Sequence, residues 1–242
     1  MSTGLISSSF NVSGSQKVVA LLPPDYAAAD EGSLFVATNT PGTVIATTTS
    51  VVDDNTGATT HAQQKPVMVI GNQWTAGNTN SQTIYLRYLK MFISQVPTTA
   101  TNWKYAMRLS PNLGTKITAA GTVITPQILN PANTVASKAL IQFGTITTTD
   151  STTDTGQRLI ANGQVAAAIP VAADEWLFTF GAVTQNFDAS ITSANVKRTT
   201  IPTVPVFITP GWIWTLEMWG ASNAAAPSWE FELMYIERPS GQ

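Results

Sequence analysis

Trp212-Ile213-Trp214-Thr215-Leu216-Glu217-Met218-Trp219 and, after the Gly220–Pro227 loop, Ser228-Trp229-Glu230-Phe231-Glu232-Leu233-Met234-Tyr235-Ile236-Glu237 decide the fold. Side chains of a strand alternate between its two faces. Trp229, Phe231, Leu233 and Tyr235 therefore share an inner face, with Glu230 and Glu232 outside. Trp212, Trp214, Leu216 and Met218 share a face in the same way. A helix, with its 3.6-residue period, would scatter both stripes around its circumference. Pro210-Gly211 turns the chain into the first segment. The pair reads as two adjacent antiparallel strands.

The same pattern extends upstream. Trp103, Tyr105, Met107 and Leu109 point one way while Lys104 and Arg108 point the other. Thr83–Ser94 is apolar on both phases: Ile84, Leu86, Tyr88 and Phe92 on one, Tyr85, Leu89, Met91 and Ile93 on the other. Such a strand is expected to be covered on both sides. Further strands are predicted at 17–21, 33–38, 43–49, Val67–Ile70, Ala139–Thr147, Gln157–Ala161, Glu175–Phe180 and Val204–Thr209. Short helical turns are predicted at Ala27–Leu34 and at Pro131–Leu140, the latter with Asn130 as cap and Pro131 at the first position. Many short strands with irregular loops predict an all-β, antiparallel β-sandwich. A jelly roll uses about this length, and an immunoglobulin-like sandwich is the alternative. Residues 1–16 read as a flexible or docked N-terminal arm. Residues 17–242 read as a single sandwich domain, with 17–60 as peripheral strands and loops.

The chain has 242 residues, 12 basic, 14 acidic and no cysteine. Charged residues are 11% of it, under half the usual quarter, while threonine, serine, asparagine and glutamine are abundant. Without cysteine there is no disulfide framework, thiolate catalysis or iron–sulfur ligation. The single histidine, His61, excludes a histidine-rich metal site within one chain. A net charge of -2 argues against a grip on nucleic-acid phosphates. No apolar run is long enough for a transmembrane helix, and the first residues lack a signal-peptide pattern, so no membrane partner is expected. Sparse charge suits surfaces that other subunits cover.

Few residues invite chemistry. Glu217, Glu230 and Glu232 form the best candidate carboxylate set, since paired acids cleave glycosides when about 5–9 Å apart. Their plainer reading is as outward residues on alternating strands. Seven tryptophans are many for this length. Trp74, in a Gly/Asn/Thr/Ser-rich loop, and Trp219 are the candidate ligand or interface contacts, because an exposed indole makes a sugar platform or an interface anchor. Trp103, Tyr105, Trp212, Trp214, Trp229, Phe231 and Tyr235 are expected to be buried anchors. Asp53, Asp54 and Asn55, and Asp150 with Asp154, lack EF-hand spacing and read as solvated turns. Pro23-Pro24-Asp25-Tyr26 has the form that aromatic grooves bind, and Asn11-Val12-Ser13 is a formal glycosylation acceptor; both are short enough to arise by chance. No catalytic residue, cofactor or metal is predicted, and the chain is not expected to be an enzyme.

Val204-Pro205-Val206-Phe207-Ile208-Thr209-Pro210-Gly211, Leu216-Glu217-Met218-Trp219-Gly220, Ser228-Trp229-Glu230-Phe231-Glu232-Leu233 and Glu237-Arg238 resemble the ending of structural proteins of tailed bacteriophages. Glu31–Asn39 with Pro41-Gly42-Thr43, and Ile84–Leu89, resemble the same group. The resemblance spans most of residues 31–238 and rests on packing and turn motifs. It implies a virion component: a capsid decoration, head-fibre or tail-associated protein, assembled in the host cytoplasm. Expected partners are copies of itself, with a trimer favoured, and other capsid or tail proteins. A host-surface glycan bound by a receptor-binding module is the alternative, and a glycoside-cleaving depolymerase a more distant one. The resemblance carries over no ligand or catalytic residue.

Overall fold

The structure, a computed structural model, describes residues 8–10, 16–18, 24–40, 42–46, 52–53, 65–75, 80–96, 101–111, 113–149, 156–166, 169–181, 198–221 and 227–239. Asn11–Ser13, Pro23, Asp54, Asn55, His61, Asp150 and Asp154 lie outside the described residues.

In chain order the strands begin with β1 (Ser8–Phe10) and β2 (Gln16–Val18), then helix α1 (Pro24–Asp30), β3 (Leu34–Thr38), β4 (Ile45–Ala46) and β5 (Val52–Asp53). The middle of the chain supplies β6 (Met68–Asn72), β7 (Gln82–Gln95), β8 (Thr101–Ser110), the short helix α2 (Leu113–Lys116), β9 (Ile117–Ala119), β10 (Thr122–Ile124) and β11 (Gln127–Ile128). There follow β12 (Ala139–Phe143), β13 (Thr147–Thr148), β14 (Arg158–Ala166), β15 (Glu175–Phe180), β16 (Arg198–Thr203), β17 (Phe207–Ile208), β18 (Ile213–Ala221) and β19 (Ser228–Pro239).

Two large sheets carry the fold. The first runs β10-β12-β6-β18-β8-β14, with β5 beside β18. The second runs β11-β3-β19-β7-β15-β16, with β4 beside β19 and β17 beside β7. Antiparallel ladders join β3 to β19, β6 to β18, β7 to β15 and β8 to β14. These four ladders nest in sequence, with β3–β19 outermost and β8–β14 innermost. This is an antiparallel ribbon wound around a core, the arrangement of a jelly roll. Parallel pairing is confined to β15–β16 and β5–β18.

One apolar cluster fills the space between the sheets. At its centre the rings of Trp103, Trp176 and Trp229 lie 5.1–6.1 Å apart, one from the first sheet and two from the second. Phe143 stacks on Phe231 at 4.6 Å, and Tyr105 meets Phe178 edge to face at 5.3 Å. The predicted anchors are buried, save Trp212, which is half-buried under the Arg158 guanidinium. Gly163 stands opposite Tyr105, and a Cβ there would come within 2.8 Å of the tyrosine ring. Gly144, at φ +99°, turns the chain out of β12 in a conformation that favours glycine.

The long strand β7 explains its own two-phase sequence. Leu86 pairs with Tyr235 but Tyr88 with Met234, so Arg87 has no partner across the ladder. This bulge switches the inward phase from Ile84 and Leu86 to Leu89, Met91 and Ile93. The apolar residues on both phases are therefore not a sign of double coverage along the strand's length. Arg87 turns outward and pairs with Asp25 of α1 at 2.8 Å.

Other expectations are corrected. β18 and β19 are not adjacent: they belong to opposite sheets of the sandwich. β18 is buried on both phases, because Ile213 packs with Val69, Ile146, Leu113 and Ile117 on the outer side. No helix forms over Pro131–Leu140; after a turn the segment runs irregularly into β12. Asn130 Nδ2 instead donates to Asp30 O and Asn133 Nδ2 to Glu31 O, so contacts with the end of α1 hold the backbone out of a helix. Helix α1 starts three residues before the predicted Ala27 and ends by Asp30, where Gly32 at φ +73° stops it.

Candidate functional sites

Among the described residues, three places where polar side chains group together bear on the candidate sites. On the outer face of the first sheet, β18 lies against β8, with Glu217 opposite Ala106 and Trp219 opposite Lys104. Arg108 Nε donates to both oxygens of Glu217, at 2.9 and 3.2 Å. The side chains are only 11% and 3% exposed. Next to them β14 places Asn162 opposite Ala106 and Gln164 opposite Lys104. Alanine at position 106 leaves a dip, and a groove of about 320 Å³ runs over it. Lys104, Arg108, Leu159, Asn162, Gln164 and Trp219 line it. Trp219 is half-buried.

On the outer face of the second sheet, Glu232 accepts from Lys90 Nζ at 2.8 Å and from the Tyr88 hydroxyl. Burial pushes the Glu232 carboxyl up, but these two donors and the lysine's charge outweigh it, and it sits below its ordinary value. Burial, then the hydrogen bond to Glu232 and its charge, hold the Tyr88 phenol well above the usual range. Glu230 accepts from Ser94 Oγ at 3.1 Å. Glu217 projects from the other sheet, across a core about 10 Å thick. The candidate carboxylate set is thus divided between opposite outer faces of the sandwich; Glu217 points outward, as its plainer reading has it, but is buried there in the ion pair with Arg108.

The third place is a buried carboxylate, Glu237, which continues the inward stripe of Trp229, Phe231, Leu233 and Tyr235. Its Oε1 accepts from Ser137 Oγ and from Lys138 N at 3.2 Å; its Oε2 accepts from Trp74 Nε1 at 3.0 Å. Ser137 Oγ also lies 2.6 Å from the Tyr235 hydroxyl. Trp74 is half-buried, with its backbone N–H held by Asn72 Oδ1 at 3.0 Å. Glu237 therefore ties the end of β19 to the segments after β6 and before β12. Its acceptor sites are taken by donors from the chain, which suits bracing rather than proton transfer. Glu237 was legible as an acid in the apolar phase of a strand; the partners of its carboxylate, at least 99 residues away, were not.

Burial raises the Tyr235 phenol; the hydrogen bond with Ser137 lowers it, and the negative charge of Glu237 raises it again, for a net rise. Above pH 10, the ordinary tyrosine value, the unfolded chain loses protons that folded Tyr88 and Tyr235 keep. Stability therefore falls with rising pH from there. Urea midpoints at pH 8 to 11, with tyrosinate absorbance followed in parallel, check this: the midpoint drops before the two phenols ionise. A midpoint that stays level while all five tyrosines titrate would contradict it.

Among the described residues, no cluster of three or more His, Asp or Glu could hold a metal ion, and no helix is long and apolar enough to cross a membrane. No family model matches the chain, and no curated protein matches it. A solved structure, the unassembled KI polyomavirus VP1 pentamer, is similar over 93% of this chain and 100% of that one. The identity is 11% and the TM-score 0.27, which carries no conclusion about this chain's fold or function.

Proposed function

We propose that the chain is a structural subunit of a virus particle, of the kind tailed phages encode. It acts through contacts with copies of itself and with other capsid or tail proteins, and carries no catalysis. The observation that carries this reading is where the polar groups go. The Arg108–Glu217 pair and Glu237 are spent inside the fold. The surface is left poor in charge and exposes Val123, Leu159, Val204 and Phe207, each 47–59% accessible. Phe207 sits beside Tyr85, ring centroids 5.3 Å apart, in an outer groove of the second sheet. Surfaces of this kind suit burial between subunits. The resemblance of its sequence motifs to those of tailed-phage structural proteins supports the choice of particle, and a three-fold assembly made in the host cytoplasm is its expected form. Light scattering on the purified protein should give a defined oligomer, and particle mass spectrometry a fixed copy number. A monomer at every concentration would remove self-assembly from the reading.

A second reading rests on the groove under Trp219, where an indole, two side-chain amides and a lysine suit a sugar. A glycan array should then show a signal that Trp219→Ala abolishes; an unchanged signal would rule the groove out.

A further inference from the structure

Each large sheet has two edges, and the four edges differ. An exposed row of backbone N–H and C=O groups invites a further strand, and proteins blunt such edges with short strands, proline or charge. The second sheet ends on one side at β11, two residues long, and on the other at β16. Pro202 interrupts the donors of β16, and Arg198 at its start is locked to Glu175 at 2.7 Å. The first sheet ends on one side at β10, three residues long. Its other edge is β14, nine residues long, with no proline and one charge, Arg158 at its first position. Among the described residues, no strand pairs with its outer side. Bulges interrupt β14 after Leu159 and after Gln164, which leaves Ala161–Gln164 as a regular stretch. Asn162, Gly163 and Gln164 are exposed, and for a glycine exposure means bare main chain.

The opposite deficiency stands near the start of the chain. β1 and β2 form a two-stranded antiparallel ladder, Ser8 to Val18 through Phe10 to Gln16, that among the described residues joins neither large sheet. The other small ladder, β9 with β13, lies beside Ile117 and Ile146, which pack with Val69 and Ile213 against the first sheet. A lone two-stranded ribbon is marginal in water and gains stability when a third strand or a sheet extends it. Its three-residue strands fit within the four-residue regular stretch of β14.

We infer that the β1–β2 ribbon of one copy adds to the β14 edge of a second copy, extending the first sheet across the boundary between subunits. Main-chain hydrogen bonds supply the contact. The neutral side chains of Ala161–Gln164 place no charge in its way. This rests on the self-assembly reading above and names the surfaces that carry it.

The absence of native cysteine makes the test direct. Full-length Ser9→Cys protein, isotope-labelled, is mixed with unlabelled Asn162→Cys protein and oxidised gently. Neighbouring strands bring Cα atoms within disulfide reach. Thr122→Cys, on the exposed, short β10 edge, is the control. The expected result is a disulfide joining labelled position 9 to unlabelled position 162, at about tenfold the yield of the position 122 mixture, because docking raises the local concentration. Equal yields from a protein that light scattering shows to be oligomeric would overturn this interface and leave self-assembly standing. Equal yields from a strict monomer would overturn both. A Ser9→Cys/Asn162→Cys double variant that closes its disulfide within one chain at high dilution would also overturn it, since the ribbon would then serve its own edge.

Discussion

Arg108→Ala is expected to lower stability by about 3–5 kcal/mol, because it leaves the Glu217 carboxylate buried without its cation. Glu217 is 3% exposed, and Arg108 Nε reaches both its oxygens. For a domain with a total stability of about 5–15 kcal/mol, that loss is a fifth or more. The same physics makes the double variant Arg108→Met/Glu217→Leu much milder. Desolvating two charges costs nearly what their attraction returns, and a packed apolar pair avoids both. Urea unfolding of the three proteins checks this. A double variant as unstable as Arg108→Ala would mean that the pair is needed in its own right, and an unaffected single variant would mean that water reaches Glu217.

Trp229→Ala should be comparably severe, at about 3–5 kcal/mol. The indole is fully buried against Trp103 and Trp176, at the point where the two sheets meet. Truncation empties a volume that neither ring can fill without leaving its own contacts. Trp229→Phe should cost clearly less: it keeps a ring in place and removes an indole N–H that has no hydrogen-bond partner. Calorimetric midpoints, with near-ultraviolet circular dichroism for the tryptophan environment, separate the two. Equal losses for Ala and Phe would show that the indole's shape, and not its bulk, sets the packing.

What could be read in advance follows from the range of each signal. Alternation is local, so the faces of Trp103–Leu109, Glu175–Phe180 and Trp229–Tyr235 follow directly from the sequence. The jelly roll was the expected sandwich, and the nested ladders draw it. Sheet membership is not local. Gly220–Pro227 suits a hairpin and a passage to the opposite sheet equally well, so the adjacency of β18 and β19 was misjudged, and with it the grouping of Glu217 with Glu230 and Glu232. The bulge at Arg87 hides in a two-phase apolar run, because one extra residue reverses the inward side without altering composition. β16 went unread because Arg198-Thr199-Thr200-Ile201-Pro202-Thr203 has a proline at its fifth position, which suits an edge strand and argues against a central one. At the sites, Trp219 does line a groove, but Asn162 and Gln164 join it only through pairing with Ala106 and Lys104, 56 and 60 residues away in sequence.

The nesting of the ladders also bears on synthesis. β18 and β19 come last in sequence among the described strands, yet each lies in the interior of its sheet, β18 between β6 and β8 and β19 between β3 and β7. A nascent chain that has emerged only as far as β17 has two open clefts where its sheets should be continuous. Folding must wait for the final ladders, whose partners are far apart in sequence, and such distant pairing makes for slow folding. In that interval β3, β6, β7 and β8 all present bare edges, so the growing polypeptide is most in need of a chaperone just before its last strands leave the ribosome.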